Sequence, residues 1–318
     1  MGSPPLDKLL SPSEITAGAT GSPKRAALRP NTSVPETLRA VAHDVIAEAR
    51  TAINNPVDAI AVHDFRKAMK RWRAFLRLLR PYLGDEGRRM QTEAAELARS
   101  LAGARDARTV LDALNDLSKG EQTLSPRSFA TITARLESLR AAAEGNTVTA
   151  ETRARIDSIL AATGESVKFW PLATLGYKEV ATELAEGYRR AREAIPRDWM
   201  EADPETLHDL RKRVVIHRYQ MEIIEPLWPR FGQFWVGEAQ RLRERLGHHQ
   251  DLIIFSHLMA PHQALARWRS RLTPLIAARR ADHVHAVARI ANRLFVDPPK
   301  AFRRRLLALW DHHRVHSA

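Results

Sequence analysis

Residues 62 to 84 read VHDFRKAMKRWRAFLRLLRPYLG, and residues 207 to 229 read LHDLRKRVVIHRYQMEIIEPLWP. In the first stretch Val62, Phe65, Met69, Trp72, Leu76, Leu79 and Leu83 fall on one stripe of a 3.6-residue helix, as a core-facing surface requires. Beside that stripe stand His63, Arg66, Lys67, Lys70, Arg73 and Arg77, stacked one turn above another at roughly 5–6 Å. Seven Arg and Lys residues lie between Arg66 and Arg80, and the stretch holds a single acid, Asp64. Like charges at this spacing each cost about 0.2–0.5 kcal/mol in an isolated helix. An external anion explains the ladder better than internal ion pairs do. Asp64, and Asp209 in the second stretch, stand in the first helical turn, where the helix dipole favours an acid and a basic neighbour is in reach.

The two stretches match at a constant offset of 145 residues, pairing His63 with His208, Asp64 with Asp209, Arg66 with Arg211, Lys67 with Lys212, Arg73 with Arg218 and Pro81 with Pro226. The same offset sets Leu101 against Leu246, and the RD of LAGARDART, at 105 to 106, against the QD of LGHHQDLII, at 250 to 251. Agreement over so long a span reads as an internal duplication, and two copies point to two similar helical bundles facing each other. Arg-rich faces on long helices are usually just solvated. Here the His, the Asp and the Arg-Lys pair recur in the same phase to the apolar stripe, which a solvated face has no reason to preserve. The second ladder is weaker, with Val215 where the first has Lys70, and Met221 and Ile224 further on. The first half is therefore expected to supply more of the charge at a shared site.

Three-to-four-residue apolar spacing continues from Val34 onward, punctuated by turn signals such as NNP at 54 to 56, EGN at 144 to 146 and DPP at 297 to 299. The body reads as all-α, with helices near 35–54, 56–82, 85–102, 105–118, 126–144, 149–163, 171–195, 204–227, 231–247, 249–259, 262–295 and 298–313. The segment TGESVKFWP, near 164 to 171, breaks the pattern and marks the seam between a first half of about 34–165 and a second of about 166–318. Residues 1–33 mix Pro, Ser, Gly, Thr and Ala without periodicity and read as a disordered tail.

With 50 Lys and Arg against 37 Asp and Glu, the 318-residue chain carries a formal charge of +13, which a polyanionic partner would relieve. It contains no cysteine, which excludes disulfides, thiolate metal sites and Cys nucleophiles. No apolar run approaches the roughly 18–20 residues of a membrane span, nor is there a signal-peptide core near the start. A soluble, cytoplasmic protein is expected.

The two H-D-x-R-K helices, the L-G-x-x-Q-D segment after the second, and GYRRAR at 187 to 192 together resemble the CHAD family, the conserved-histidine α-helical domain, over roughly residues 34 to 313. The resemblance implies two four-helix-bundle halves about a pseudo-twofold axis, with a basic groove or channel between them that binds inorganic polyphosphate. Carried over by position, it assigns binding to His63, Arg66, Lys67, Lys70, Arg73 and Arg77 from the first copy. From the second copy it assigns His208, Arg211, Lys212 and Arg218. Tyr188, Arg189 and Arg192 stand where the family's YRR segment contributes to the same surface. His248 and His249 follow the L-G pair, where the family often has other polar residues. Guanidinium forks one turn apart suit successive phosphates, each able to take two oxygens, and binding would release counterions. A bound polyanion would push the histidines toward protonation, so binding is expected to strengthen as pH falls.

HD pairs at 43–44, 63–64 and 208–209, DHVH at 282–285 and HH at 248–249 raise a metal-dependent phosphohydrolase as an alternative. The HD pairs at 63–64 and 208–209 open strongly cationic helices, which would repel a divalent ion. No E-x-E-x-K signature and no Gly-rich phosphate loop is present. The expectation is a binding module without catalytic chemistry or cofactor. Nucleic acid is the less favoured partner, since aromatics make up 6% of the chain and Trp72, Trp228 and Trp310 sit in apolar phases that suit core packing. Some members of the family are associated with polyhydroxyalkanoate storage granules. The amphipathic segment AFRRRLLALWDHHRVH, at 301 to 316, would touch such a surface unless Phe302, Leu306, Leu309 and Trp310 pack on the bundle.

Overall fold

The computed structural model describes residues 25–101, 105–120, 123–143 and 148–316, among which there are eleven α-helices and no strand. They are α1 (Val34–Ile53), α2 (Asp58–Leu78), α3 (Arg80–Ser100), α4 (Arg105–Leu117), α5 (Pro126–Ala143), α6 (Ala150–Val167), α7 (Tyr177–Glu193), α8 (Pro204–Glu222), α9 (Pro229–His257), α10 (Arg269–Leu294) and α11 (Pro299–His316). The ladder of the opening stretch is α2. It stops at Leu78, three residues before Pro81, rather than running on to 82. The chain restarts as α3 and kinks at Gly84, whose φ of +53° lies in the left-handed region that glycine enters without a Cβ penalty. At the corresponding place in the second half α8 gives way to a short 3-10 turn, Glu225–Leu227, before α9 begins. The two helices expected at 231–247 and 249–259 are one continuous helix, α9. Both α1 and α8 begin as their sequences dictate, with proline in the first turn and the Ser33 or Asp203 side chain accepting a backbone N–H.

The apolar stripe of α2, continued into the start of α3, is the interior face: Phe65, Met69, Trp72, Leu76, Leu79 and Leu83 are all buried, and Val62 packs at their edge. Neighbouring helices pack α1 on α2, α2 on α3 and α1 on α6, with α7 on α8, α8 on α9 and α7 on α11 in the second half. Across the seam, α2 packs on α8. The seam itself is held inside, since Trp170 is buried, stacks on Trp72 at 5.9 Å and accepts a hydrogen bond on its carbonyl from Arg39 at 2.9 Å. Buried side chains form two clusters, and their division does not follow the seam. A small cluster joins Val110, Leu114, Ile132 and Leu136 of α4 and α5 to Leu252, Phe255, Leu272 and Ile276 of α9 and α10. The larger takes in α1 to α3 and α6 together with α7, α8, α11, the first part of α9 and the last part of α10.

Residues 25–33 depart from the expected tail, whose first 24 positions lie outside the described residues. Leu28 is fully buried and its N–H bonds the Ile223 carbonyl at the end of α8, at 2.8 Å. The Ala26 N–H bonds Asp44 at 2.6 Å, and Arg25 pairs with Glu48 at 3.1 Å. One leucine buried this way contributes roughly 1.5–3 kcal/mol, enough to hold a short polar segment that periodicity cannot flag. Trp228 also departs from expectation: it is half-exposed, because the 3-10 turn takes it out of the helical phase that pointed it inward. Phe302, Leu306 and Trp310 of α11 are buried against the bundle, with Trp310 stacked on Tyr177 at 3.9 Å, so these three side chains are taken up by the core.

The core of the second half is closed by an aromatic box of Tyr188, His217, Trp235, Phe295 and Phe302. Within it the Trp235 indole N–H donates to His217 Nε2 at 2.9 Å. Burial pushes this imidazole down to about 3. The unfolded chain binds a proton here below about 6.5 while the native state does not, so this histidine destabilises the fold progressively from that pH down to its native value. Burial, with Arg280 and His283 nearby, also lowers His249, to about 4. Urea titrations across this window should show stability falling with pH, and His217→Leu should make the fall shallower by about 1.4 kcal/mol per pH unit. An unchanged slope in the variant would contradict a neutral native His217.

Candidate anion-binding site

The helices that carry the paired motifs, α2 and α8, lie against each other, and Gln220 of α8 donates to the Ala74 carbonyl of α2 at 3.2 Å. Gly187 of α7 lets this contact form, since a Cβ there would stand 2.4 Å from the Gln220 side-chain oxygen. From α2 the structure leaves His63, Lys67 and Arg77 exposed, with Lys70 and Arg73 half-buried. From α8 it leaves Lys212 exposed and His208 and Arg211 half-buried. Among the described residues no carboxylate lies within ion-pair distance of His63, Lys67, Arg73, Arg77 or Lys212.

Arg77 shows the consequence. Desolvation, then the charges of Arg73, Arg190, Arg213 and Arg80, hold its guanidinium below the usual arginine range. It lines a cleft with Arg190 of α7 and Arg213 of α8, together with Glu183, Glu186, Ile216 and Gln220. The cleft is not purely basic: Arg190 bonds Glu186 and Arg213 bonds Asp209, at 2.7 and 2.8 Å. Repeat matching cannot find Arg190 and Arg213, because their 145-residue partners are Val45 and Ala68. Asp209 does hold a basic neighbour, as expected.

Other assigned residues serve the fold. Tyr188 is fully buried and its hydroxyl donates to the Asp297 carbonyl at 3.0 Å, so it packs the core and does not face an anion. Burial pushes its phenol up to about 12. Arg189 is clamped by Glu186 and Glu193, and Arg192 donates to the Phe295 carbonyl at 3.0 Å. Arg218 is bonded to Glu222 at 2.7 Å and lies over the Tyr219 ring. Arg66 reaches the Ala98 carbonyl of α3 at 2.9 Å, while its counterpart Arg211 lies against Gly247 of α9. Arg71, one of the seven cations of the opening stretch, is buried between Glu48 at 2.7 Å and Glu222 at 3.7 Å. The side chains of the RD pair at 105–106 lie outside the described residues.

Among the described residues no group of three His, Cys, Asp or Glu is placed to hold a metal ion. None of the described helices is long and apolar enough to cross a membrane.

Fold and site together define an all-helical protein in which two mutually packed helices present cations that form no ion pair among the described residues. The family model of the CHAD domain matches residues 36–260, and the chain belongs to that family. The crystal structure of the CHAD domain from the plant Ricinus communis is similar at 18% identity and a TM-score of 0.54, covering 90% of this chain and 97% of that one. At that identity the likeness speaks for the fold. No curated protein matches the chain.

Proposed function

We propose that this protein binds inorganic polyphosphate without catalysing its turnover, in a basic groove where α2 faces α8, and that it serves to target or scaffold at the polymer. The family is linked to polyphosphate binding in general. The observation that carries the reading for this chain is the run of His63, Lys67, Arg73 and Arg77 on α2, with Lys212 on the helix packed against it, none of them paired with a carboxylate among the described residues. A linear polymer with about one charge per unit matches cations set one helical turn apart, and each contact releases counterions. The duplication read from the sequence accounts for why two helices share the task. The first carries more of it, because Glu222 stands at the position matching Arg77 and neutralises Arg218.

Polyphosphate chains of defined length and single-stranded DNA, titrated at two salt concentrations, test the proposal. Tight binding that grows with polyphosphate length and exceeds binding to DNA is the expected result. Equal affinity for the two polymers would reduce the site to generic polycation behaviour and overturn the assignment.

A further inference from the structure

Asp116 is the only buried carboxylate residue among the described residues, and it organises a polar knot where α4, α9 and α10 meet. Arg279 bonds it twice, at 2.8 and 3.1 Å, and His283 Nε2 lies 2.6 Å from it. These hydrogen bonds hold the Asp116 carboxyl far below the usual range, although burial alone would raise it. His283 is fully buried and presents its other nitrogen, Nδ1, to the Arg245 guanidinium at 3.5 Å. The His248 ring stacks on His283 with centroids 5.5 Å apart, and Arg280 donates to His249 at 3.3 Å.

Charge in this knot does not balance. Arg279 and His283 both bond Asp116, and the exposed Asp282 lies 3.7 Å from that same arginine. Lys119, Arg245 and Arg280 have no carboxylate within ion-pair distance among the described residues. His248 is half-buried, and its Nδ1 is inaccessible and without a hydrogen-bond partner. Arg245 and His248 both lie against His283, Arg280 holds His249 one residue on, and the charge of Lys119 is felt at His248. The place is contiguous with the α8 wall, since Arg211 lies against Gly247, the residue before His248.

We propose that Lys119, Arg245, His248 and Arg280 form a second oxyanion site, which takes a further phosphate unit of a chain leaving the α2–α8 face across α9. This extension rests on the polyphosphate reading. The Asp116–His283 pair is its positioning element, fixing the ring on which His248 stacks. Burial lowers the His248 pKa, as do His283, Lys119 and Arg245, while Asp116 raises it. A phosphate at this site would reverse that balance, so binding takes up a proton near neutral pH.

The double variant Arg245→Gln/His248→Gln leaves Asp116, Arg279 and His283 in place, and its thermal melt should stay near that of the wild type. Isothermal calorimetry of both proteins with tripolyphosphate and with long-chain polyphosphate, in buffers of different ionisation enthalpy, reads the site. The double variant should lose roughly tenfold affinity, about 1.4 kcal/mol, for the long chain only, together with the proton uptake. Wild-type binding with no difference in the variant, or an equal loss for both chain lengths, would overturn the extension and leave the α2–α8 assignment standing. A wild type that binds neither polymer would overturn the polyphosphate reading, and the extension with it.

Discussion

Replacing Lys67, Arg73 and Arg77 together with glutamine should weaken polyphosphate binding on the order of a hundredfold and flatten its salt dependence by about three logarithmic units of slope, one for each phosphate contact removed. These three side chains lie off the apolar stripe of α2 and have no carboxylate partner among the described residues, so helicity and melting should hardly change. Relief of the repulsion felt by Arg77 should if anything favour the fold. A parallel Arg189→Gln/Arg192→Gln variant should bind as the wild type does, because those guanidiniums are taken up by Glu186, Glu193 and the Phe295 carbonyl. Fluorescence titration at two or more salt concentrations distinguishes the cases. If the triple variant keeps its affinity and slope, the polymer lies on another surface.

Arg71→Ala should cost about 2 kcal/mol of folding stability, the largest effect expected from any single cation of the opening stretch. Arg71 is the buried member of that run, and its removal leaves Glu48 with Arg25 alone and Glu222 with Arg218 alone. Burial, the leading influence, pushes the Glu222 carboxyl up even with Arg218 and Arg71 beside it, so the loss of a partner is felt in full. Arg71→Met, which keeps the volume, should also be destabilising, since it too takes an arginine from each glutamate, but less so than alanine because it leaves no cavity. Arg88→Ala, at an exposed pair with Asp85, should fall within about 0.5 kcal/mol of the wild type. Urea midpoints at constant m-value measure all three, and an Arg71→Ala midpoint matching that of Arg88→Ala would refute the buried-pair account.

The all-helical fold was legible because a periodic stripe such as Phe65, Met69, Trp72 and Leu76 has one way to be buried. The pairing of the two HD helices was legible from the repeat, which fixed which helices matter though not which of their cations are spare. That second question is tertiary. Arg71 and Arg73 sit two residues apart on one helix, yet one is enclosed by Glu48 and Glu222 and the other pairs with no acid among the described residues. Tyr188 and Arg189 were misplaced because a motif aligned by order says nothing of which side of α7 meets the core. Arg190, which does line the cleft, is their direct neighbour. Leu28 was illegible for a simpler reason: a single apolar residue in a polar stretch has no period, and its site is made by the end of α8.

The most direct test of the account is a crystal structure of the protein with a short polyphosphate bound. The account predicts phosphate density along α2, within hydrogen-bonding distance of Lys67, Arg73 and Arg77, with Lys212 of α8 on the facing side. Ordered phosphate on another surface, with these four side chains left bare, would contradict it.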